Sequence, residues 1–226
     1  MQTRSKYLHQ LEELEGHIGR LGDKAVADIR AVGLALVGDE GAAVGVMEGA
    51  KASRRLRDAI EDGCMDIMLM QQPLVADDLR YVTGSFRIVS DLAHIDAMAR
   101  DMAYLSTQVP REATARLDEV FDGAAARVAD MVARAVAAFC ASDEAAAQGV
   151  FTLDDEVDEL YRRAEQVVVD LIRGGEADAT HLPELLMVAK YFERMGDDAE
   201  RIADWAVFRA TGEHTVNSKD AKMPQA

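Results

Sequence analysis

The sequence predicts an all-α protein made of two tandem three-helix bundles, which together contain six long antiparallel helices. Three observations support this prediction. Apolar residues recur every three or four positions through most of the chain, as they do along one face of an α-helix. The 226 residues include only 4 prolines and 5% aromatic residues, a composition that favours helices over β-strands. Turn-forming residues interrupt the apolar pattern at a few points, and these points divide the chain into six helical segments.

The first helix shows the apolar pattern most clearly. It carries a stripe with alternating spacings of four and three residues, formed by Tyr7, Leu11, Leu14, Ile18, Leu21 and Ala25. Residues at these spacings lie on one side of a helix and can pack against a neighbour. The pair Gly38-Asp39 is expected to end this helix. The start of the second helix is its weakest part, because three glycines between residues 41 and 49 lower the helix propensity.

Prolines, glycines and capping residues predict the other helix ends. Pro73 ends the second helix, and the residue before Pro110 is disfavoured in helical conformation. A helix restarts after Ser142-Asp143, and the next one ends at Gly174-Gly175. Pro183 is compatible with the first turn of the last helix. The predicted helices span these approximate ranges: up to residue 36, 40–69, 77–107, 111–141, 144–172 and 180–210.

The two halves of the chain resemble each other in the order of their helices. Each half has a plain amphipathic helix, then a charged helix, then a helix entered through a proline-containing turn. Short loops between long helices favour antiparallel neighbours. We therefore predict a tandem repeat, with a first three-helix unit at 1–109, a second at 110–211 and a flexible tail at 212–226.

The charge of the chain limits its partners. The chain carries 41 acidic and 25 basic side chains, giving a formal net charge of −16. This charge repels nucleic acid and anionic membrane surfaces, but it favours basic surfaces of partner proteins. The first residues lack the apolar region of a signal peptide, and no apolar stretch is long enough to span a membrane. We therefore expect a soluble, cytoplasmic protein without direct membrane insertion.

Four carboxylates form the strongest candidate site. Asp154 and Asp158 lie four residues apart on the fifth predicted helix, and Glu193 and Asp197 have the same spacing on the sixth. Residues at this spacing project from one helix face, so two adjacent helices would bring the four together. A divalent cation would relieve the repulsion between them. Spacing alone also fits a solvated acidic surface with local arginine partners, and both interpretations stay open at this point.

Other chemical signals are weak. His94 follows Asp91 at a spacing that di-iron bundles use, but no second copy of that motif occurs, so His94 is expected to be an ordinary helix-face residue. Cys64 and Cys140 have no short spacing between them and are expected to be buried among apolar residues. No nucleophilic triad, phosphate-binding glycine loop or dinucleotide fingerprint is present. The sequence therefore predicts a protein that is not an enzyme.

Three motifs resemble the PhoU family. FERMGDDAERIADW is similar to the family signature Leu/Ile-Glu-Arg-Ile-Gly-Asp, QQPLVADDLR to its entry into the third helix, and LDDEVDELYRRAE to its Asp-x-x-x-Asp helix. The resemblance covers about residues 5–211. It implies two tandem three-helix bundles in a cytoplasmic negative regulator of the phosphate-starvation response. Such a regulator would modulate phosphate uptake as an adaptor between the ATPase subunit of the phosphate ABC transporter and a sensor histidine kinase.

The same resemblance implies a metal site in the second repeat only. Some family members hold iron or other metals on paired acidic motifs, one site in each repeat. Carried over to this chain, the second-repeat ligands would be Asp154, Asp158, Glu193 and Asp197. In the first repeat the matching positions are occupied by Ala50, Arg54, Ala93 and Ala97. We infer that the first site is lost, although Asp91, His94, Asp96 and Asp101 leave a differently arranged site open.

The adaptor interpretation has two alternatives. One is a metal-binding helical protein with a storage or enzymatic function, which would need a complete ligand set with an open position. The other is an accessory of a low-affinity phosphate transporter with no signalling role, although such relatives have a single unit. We also expect the protein to form a homodimer.

Overall fold

The protein is all-helical, as the sequence predicts. The structure is a computed structural model and describes residues 2–70, 73–175 and 179–215. Two 3₁₀ turns, Ala115–Leu117 and Ala179–His181, precede α6 and α8 respectively. The α-helices have these bounds: α1 Gln2–Leu36, α2 Glu40–Glu48, α3 Ala50–Met70, α4 Ala76–Gln108, α5 Arg111–Thr114, α6 Asp118–Ala141, α7 Glu144–Gly174 and α8 Leu182–Thr211.

The second predicted helix is interrupted at Gly49. The chain stays in a helical conformation there (φ −66°, ψ −17°), and the Gly49 N–H donates to the carbonyls of Gly45 and Val46. A Cβ atom on Gly49 would lie 2.5 Å from Nζ of Lys24 in α1. The missing side chain therefore gives Lys24 room beside the break between α2 and α3. The sequence placed the weak point of this helix correctly, but it predicted one continuous helix where the structure has two.

The predicted fourth helix also starts differently from the expectation. Residues 111–117 form the short helix α5 and a 3₁₀ turn, and the regular helix α6 begins only at Asp118. Arg111 holds this entry segment together, because its guanidinium donates to Thr114 Oγ1 at 3.0 Å and to Asp118 Oδ1 at 2.9 Å. Leu117 is fully buried at the end of the turn. Burial of Leu117 and the Arg111 contacts favour a bent entry over a straight first turn.

Cap residues fix the start of α7 and the end of α8. Asp143 is the N-cap of α7, and its carboxylate accepts a hydrogen bond from the Ala146 N–H at 3.0 Å. Gly212 ends α8 with a positive φ of 84°, and its N–H donates to the Phe208 carbonyl at 2.8 Å. The predicted flexible tail begins at this glycine. Its described part, residues 212–215, folds back on α8, where Thr215 N–H donates to Asp204 at 2.7 Å. Residues 216–226 of that tail lie outside the described residues.

The helices pack as two bundles that share one core. In the first half α3 and α4 pack on α1, and α2 covers α1 and α4. In the second half α6, α7 and α8 all pack on one another. The halves are joined because α1 lies along α6 and α4 lies along α8. The largest fully buried side chains come from both halves and include Ile18, Ile29, Ile60, Ile88, Phe121, Phe139 and Phe192. The predicted division of the chain at residue 110 stays a prediction.

Arg209 links three helices at one end of the joint between the halves. Its guanidinium carbon lies 4.0 Å from the ring centre of Tyr81 in α4, a cation–π distance. The same guanidinium donates to the carbonyls of Phe139 and Cys140 at the end of α6, the latter at 2.8 Å. The rings of Tyr81 and Phe139 contact each other with centroids 5.7 Å apart. These contacts satisfy the terminal carbonyls of α6 and fix α8 against α4.

The two cysteines are free thiols. Cys64 is fully buried, as the sequence predicts, and burial raises the pKa of its thiol to about 12. Cys140 is half-buried, and burial raises the pKa of its thiol to about 11. Across the described residues, no helix combines the length and the apolar character needed to cross a membrane.

Close contact between α1 and α6 gives a prediction on stability. A Cβ atom on Gly33 would lie 2.6 Å from the Cβ of Ala125, and neither atom belongs to a flexible side chain. Gly33→Ala is therefore expected to lower the free energy of unfolding by about 1 to 2 kcal/mol, despite its better helix propensity. Gly19 on the same helix has no atoms within 4 Å of its Cβ position. Gly19→Ala is expected to raise the free energy of unfolding by about 0.5 to 1 kcal/mol. Urea denaturation of both variants checks this, and the same sign for both would contradict it.

Candidate metal centre and neighbouring polar networks

Three carboxylates converge between α7 and α8. One oxygen each from Asp154, Asp197 and Glu200 lies within 4.8 Å of the other two, which suffices for a shared cation. Asp154 is 3% exposed, and the other two are half-buried. Asp197 and Glu200 are three residues apart on α8, so they share a helix face. Asp154 approaches them from α7.

Gly196 allows the two helices to approach at this point. A Cβ atom at residue 196 would lie 3.4 Å from Oδ1 of Asp154 and 3.5 Å from the Val157 side chain. A single Cβ would make ordinary van der Waals contacts at these distances, whereas a longer side chain would meet Asp154 and Val157 directly. The glycine of the FERMGDD segment therefore lies at a close contact between α7 and α8, next to the carboxylate of Asp154.

The group fits a divalent cation in its chemistry. All three ligand atoms are carboxylate oxygens, which suit magnesium, manganese or iron in the divalent state. Three negative charges at this separation repel one another, and a cation would remove that repulsion. The ion would be held by Asp154, Asp197 and Glu200. By neutralising the charge of these carboxylates, it would hold α7 against α8.

The structure groups two of the four sequence-predicted ligands and adds one that was missed. Asp154 and Asp197 belong to the convergent group, whereas Asp158 and Glu193 are outside it. Glu200 was missed because the prediction looked for pairs four residues apart. It lies three residues after Asp197, and that spacing places it on the same helix face. The four-carboxylate set stays a prediction, since a bound ion could draw in further side chains.

Glu193 takes part in an ion pair close to this group. Lys190 Nζ lies 2.6 Å from its Oε1, and the same ammonium is 5.0 Å from the ring centre of Tyr161 on α7. The Tyr161 hydroxyl donates to Glu165 at 3.2 Å, and burial together with Glu165 raises the pKa of that hydroxyl. The second Glu193 oxygen is buried without a hydrogen-bond partner among the described residues. Glu193 thus forms an ion pair within α8, with a lysine rather than with one of the local arginines that the sequence offered as partners.

A buried polar network joins α4 to α8. Asp198 is 1% exposed, and one of its oxygens lies 2.8 Å from Nδ1 of His94. Its other oxygen pairs with Arg201, which also donates to Asp91 on α4 at 3.0 Å. Burial raises the pKa of Asp91, although Arg201 opposes that change. No partner for His94 could be predicted from the sequence, because Asp198 lies 104 residues further along the chain.

Asp91, His94, Asp96 and Asp101 of the first repeat do not converge on one point among the described residues. Asp91 and His94 are drawn to α8, as described above. Asp96 accepts a hydrogen bond from Ser53 Oγ at 2.5 Å and pairs with Arg100, and Asp101 lies 3.5 Å from the Tyr191 hydroxyl. These four side chains therefore have separate partners. Across the described residues, the group on α7 and α8 is the candidate for holding a metal.

The fold and the candidate site together define a class of protein. It is all-helical, with two repeats of three long helices and a carboxylate cluster on the last two helices. The comparisons with known proteins agree with it. A family model described as "PhoU domain" matches residues 18–105 and again residues 122–206. The chain therefore belongs to the PhoU family. The two matches fall in the two halves that the sequence pattern indicates.

Relatives match over nearly their whole length. The "phosphate-specific transport system accessory protein PhoU homolog" of Clostridium acetobutylicum is 27% identical over 211 residues, covering 93% of this chain and 96% of that protein. The protein of the same name from Caulobacter vibrioides is 27% identical over 223 residues, covering 96% and 95%.

Solved structures show the same fold. PhoU from Pseudomonas aeruginosa superposes with a TM-score of 0.82 at 23% identity, covering 92% of this chain and all of that one. The phosphate transport system regulatory protein PhoU from Streptococcus pneumoniae gives a TM-score of 0.81 at 22% identity, covering 92% and 99%.

Proposed function

We propose that this chain is an accessory protein of a phosphate transport system and that it acts by binding other proteins rather than by catalysis. The observation that supports this most directly is its full-length match to proteins named for that role, with both domain copies present. The names of these relatives refer to the phosphate-specific transport system, which favours this function over an accessory of a low-affinity transporter.

The finer proposal is an adaptor in the cytoplasm. It contacts the ATPase subunit of the phosphate ABC transporter and a sensor histidine kinase, and it keeps the kinase from signalling when phosphate is plentiful. The net charge of −16 supports partner surfaces that are basic. Long rigid helices support binding through extended faces. A homodimer is part of this proposal, and sedimentation equilibrium of the purified chain would test it.

A second function is supported by the carboxylate group. Asp154, Asp197 and Glu200 offer three oxygens to one cation. We propose that this site takes a divalent metal such as iron or manganese. The metal would stabilise the α7–α8 pair, so metal binding and the adaptor role are compatible in one protein. A metal-storage or enzymatic role is the alternative, and it would be favoured by stoichiometric metal in a protein without partners.

A pull-down from phosphate-replete cells tests the adaptor proposal. The chain carries an affinity tag, and the co-purifying proteins are identified by mass spectrometry. A tagged soluble protein of similar net charge serves as the control for non-specific capture. Enrichment of the transporter ATPase, with or without the kinase, is the expected result. Enrichment of neither, with stoichiometric metal in the purified chain, would contradict the adaptor proposal and favour metal handling.

A further inference from the structure

The first repeat contains a cavity at the position where the lost metal site is inferred. Its volume is about 360 Å³, which is at the lower end of the roughly 300–1,000 Å³ typical of small-ligand pockets. It lies between α3 and α4 and is closed on one side by α1. It is lined by Leu21, Ala50, Ser53, Arg54, Arg57, Ala93, Asp96 and Arg100.

The lining is basic, in contrast to the rest of the chain. Three arginines and one aspartate line the cavity, a net formal charge of +2 in a protein of net charge −16. Arg54 makes no ion pair or hydrogen bond with any described residue. Arg57 has two carboxylates near its guanidinium, Glu61 at 3.6 Å and Asp58 at 3.8 Å, both beyond hydrogen-bond distance. Its Nε is buried and has no hydrogen-bond partner among the described residues.

The one acidic side chain in the cavity is already neutralised. Asp96 is 6% exposed, and one of its oxygens accepts the Ser53 hydroxyl at 2.5 Å. Its other oxygen pairs with Arg100. Behind it Asp28 of α1 is also paired, with Lys24 Nζ at 2.5 Å. These pairs leave Arg54 without an ion pair among the described residues, and leave Arg57 with an unsatisfied Nε donor beside its two distant carboxylates.

Two pairs of corresponding positions in the two repeats have inverted charge, and the other pairs have alanine in place of an acid. The family motifs place Ala50 opposite Asp154 and Arg54 opposite Asp158. They also place residue 97 opposite residue 197, and three residues further on Arg100 stands opposite Glu200. At these two pairs of positions the first repeat has a guanidinium group where the second has a carboxylate, and one of the two carboxylates, Glu200, belongs to the convergent group. A site that had merely decayed would need no gain of arginine at two equivalent positions.

We propose that the first-repeat cavity binds a small tetrahedral oxyanion, and that hydrogen phosphate fits it best. Arg54 and Arg57 supply guanidinium donors, which bind such oxygens through short, charge-assisted hydrogen bonds. Asp96 adds an acceptor, because each of its oxygens has a second lone pair beyond the bonds to Ser53 and Arg100. That acceptor suits an anion which still carries a proton at neutral pH, as phosphate does and sulfate does not. This site stands on the cavity alone, independently of partner binding and of the metal group.

Calorimetry with inorganic phosphate tests the site on the whole purified chain. The titration is done at constant ionic strength, so that general screening is the same at every point. We expect saturable binding with one phosphate per chain. Arg54→Ala is expected to weaken it about tenfold or more, because one charged hydrogen-bond donor is lost. Arg54 is exposed, so this change should leave the fold intact, which circular dichroism verifies.

Arg55→Ala is the matched control, since Arg55 is exposed on the same helix but does not line the cavity. It removes the same charge and is expected to leave the affinity within about twofold. Equal weakening by both variants would show only a general charge effect and would overturn the proposal. Absence of saturable phosphate binding to the unmodified chain would overturn it as well. A titration with sulfate is the third measurement. Sulfate binding as tight as phosphate binding would contradict the role of Asp96 as the acceptor for the phosphate proton.

Discussion

Arg201→Ala is expected to lower the free energy of unfolding by about 3 kcal/mol, a larger change than either glycine substitution in α1 should cause. Asp198 is 1% exposed. Its carboxylate is paired with the guanidinium of Arg201, which carries a full positive charge. Without that arginine the carboxylate keeps only the His94 contact at 2.8 Å. An ionised carboxylate in this environment loses most of its hydration without adequate compensation. Asp91 on α4 loses its partner at the same time, which weakens the joint between the two halves.

Urea denaturation of purified variants measures this effect. Arg194→Ala is the control, because Arg194 is exposed on the same helix and has no ion pair with a described residue; a change within about 0.5 kcal/mol is expected. Adding Asp198→Asn to Arg201→Ala should restore part of the loss, because a neutral amide is less costly to bury than an unpaired charge. Equal stability of the Arg201→Ala and Arg194→Ala variants would show that the network contributes little.

Removal of one carboxylate from the α7–α8 group is expected to weaken metal binding by about 100-fold or more, since loss of a supporting outer group alone costs about 10 to 100-fold. Asp197→Asn and Glu200→Gln should both have this effect, because each removes one ligand oxygen from a group of three. Asp158→Asn should change the affinity by only a few-fold, since Asp158 lies outside that group. Titration of the metal-stripped chain with Mn²⁺ in a calorimeter measures the three affinities.

The three affinities distinguish between two possible ligand sets. One is the group of three carboxylates in the structure, and the other is the set of four carboxylates predicted from the sequence. If Asp158→Asn weakens binding as strongly as Asp197→Asn while Glu200→Gln does not, the four sequence-predicted carboxylates are the ligands. Binding should also fall as the pH is lowered, because carboxylates must be ionised to coordinate a cation. No Mn²⁺ binding by the unmodified chain would assign the cluster to helix packing. Circular dichroism of each variant controls for unfolding, since Asp154 and its surroundings are part of the core.

Most of the fold could be predicted from local sequence information. The spacing of apolar residues and the turn-forming residues between them located six helical segments. This was possible because a buried helix face requires apolar residues every three or four positions. The division at Gly49 and the bent entry at Arg111 were missed for a different reason. The glycines marked the weak part of the second helix, but the position of the break beside Lys24 in α1 and the burial of Leu117 involve tertiary contacts that no local window contains.

The candidate site was predictable in part. Asp154 and Asp197 follow from their motifs, and the structure brings them together. Glu200 could have been found from the three-residue spacing, since the signal was present in the same segment. The contact of His94 with Asp198 could not, because it depends on how α4 lies against α8. The basic character of the first-repeat cavity likewise required three arginines from two helices to be placed together.

Binding of the purified chain to the purified ATPase subunit of the phosphate ABC transporter from the same organism tests the proposed function most directly. Biolayer interferometry at several salt concentrations measures the affinity and its electrostatic part. We expect saturable binding that weakens as salt increases, because a chain of net charge −16 associates with a basic surface through screened interactions. Absence of binding at low salt, with the chain folded and Mn²⁺ present, would contradict the adaptor function.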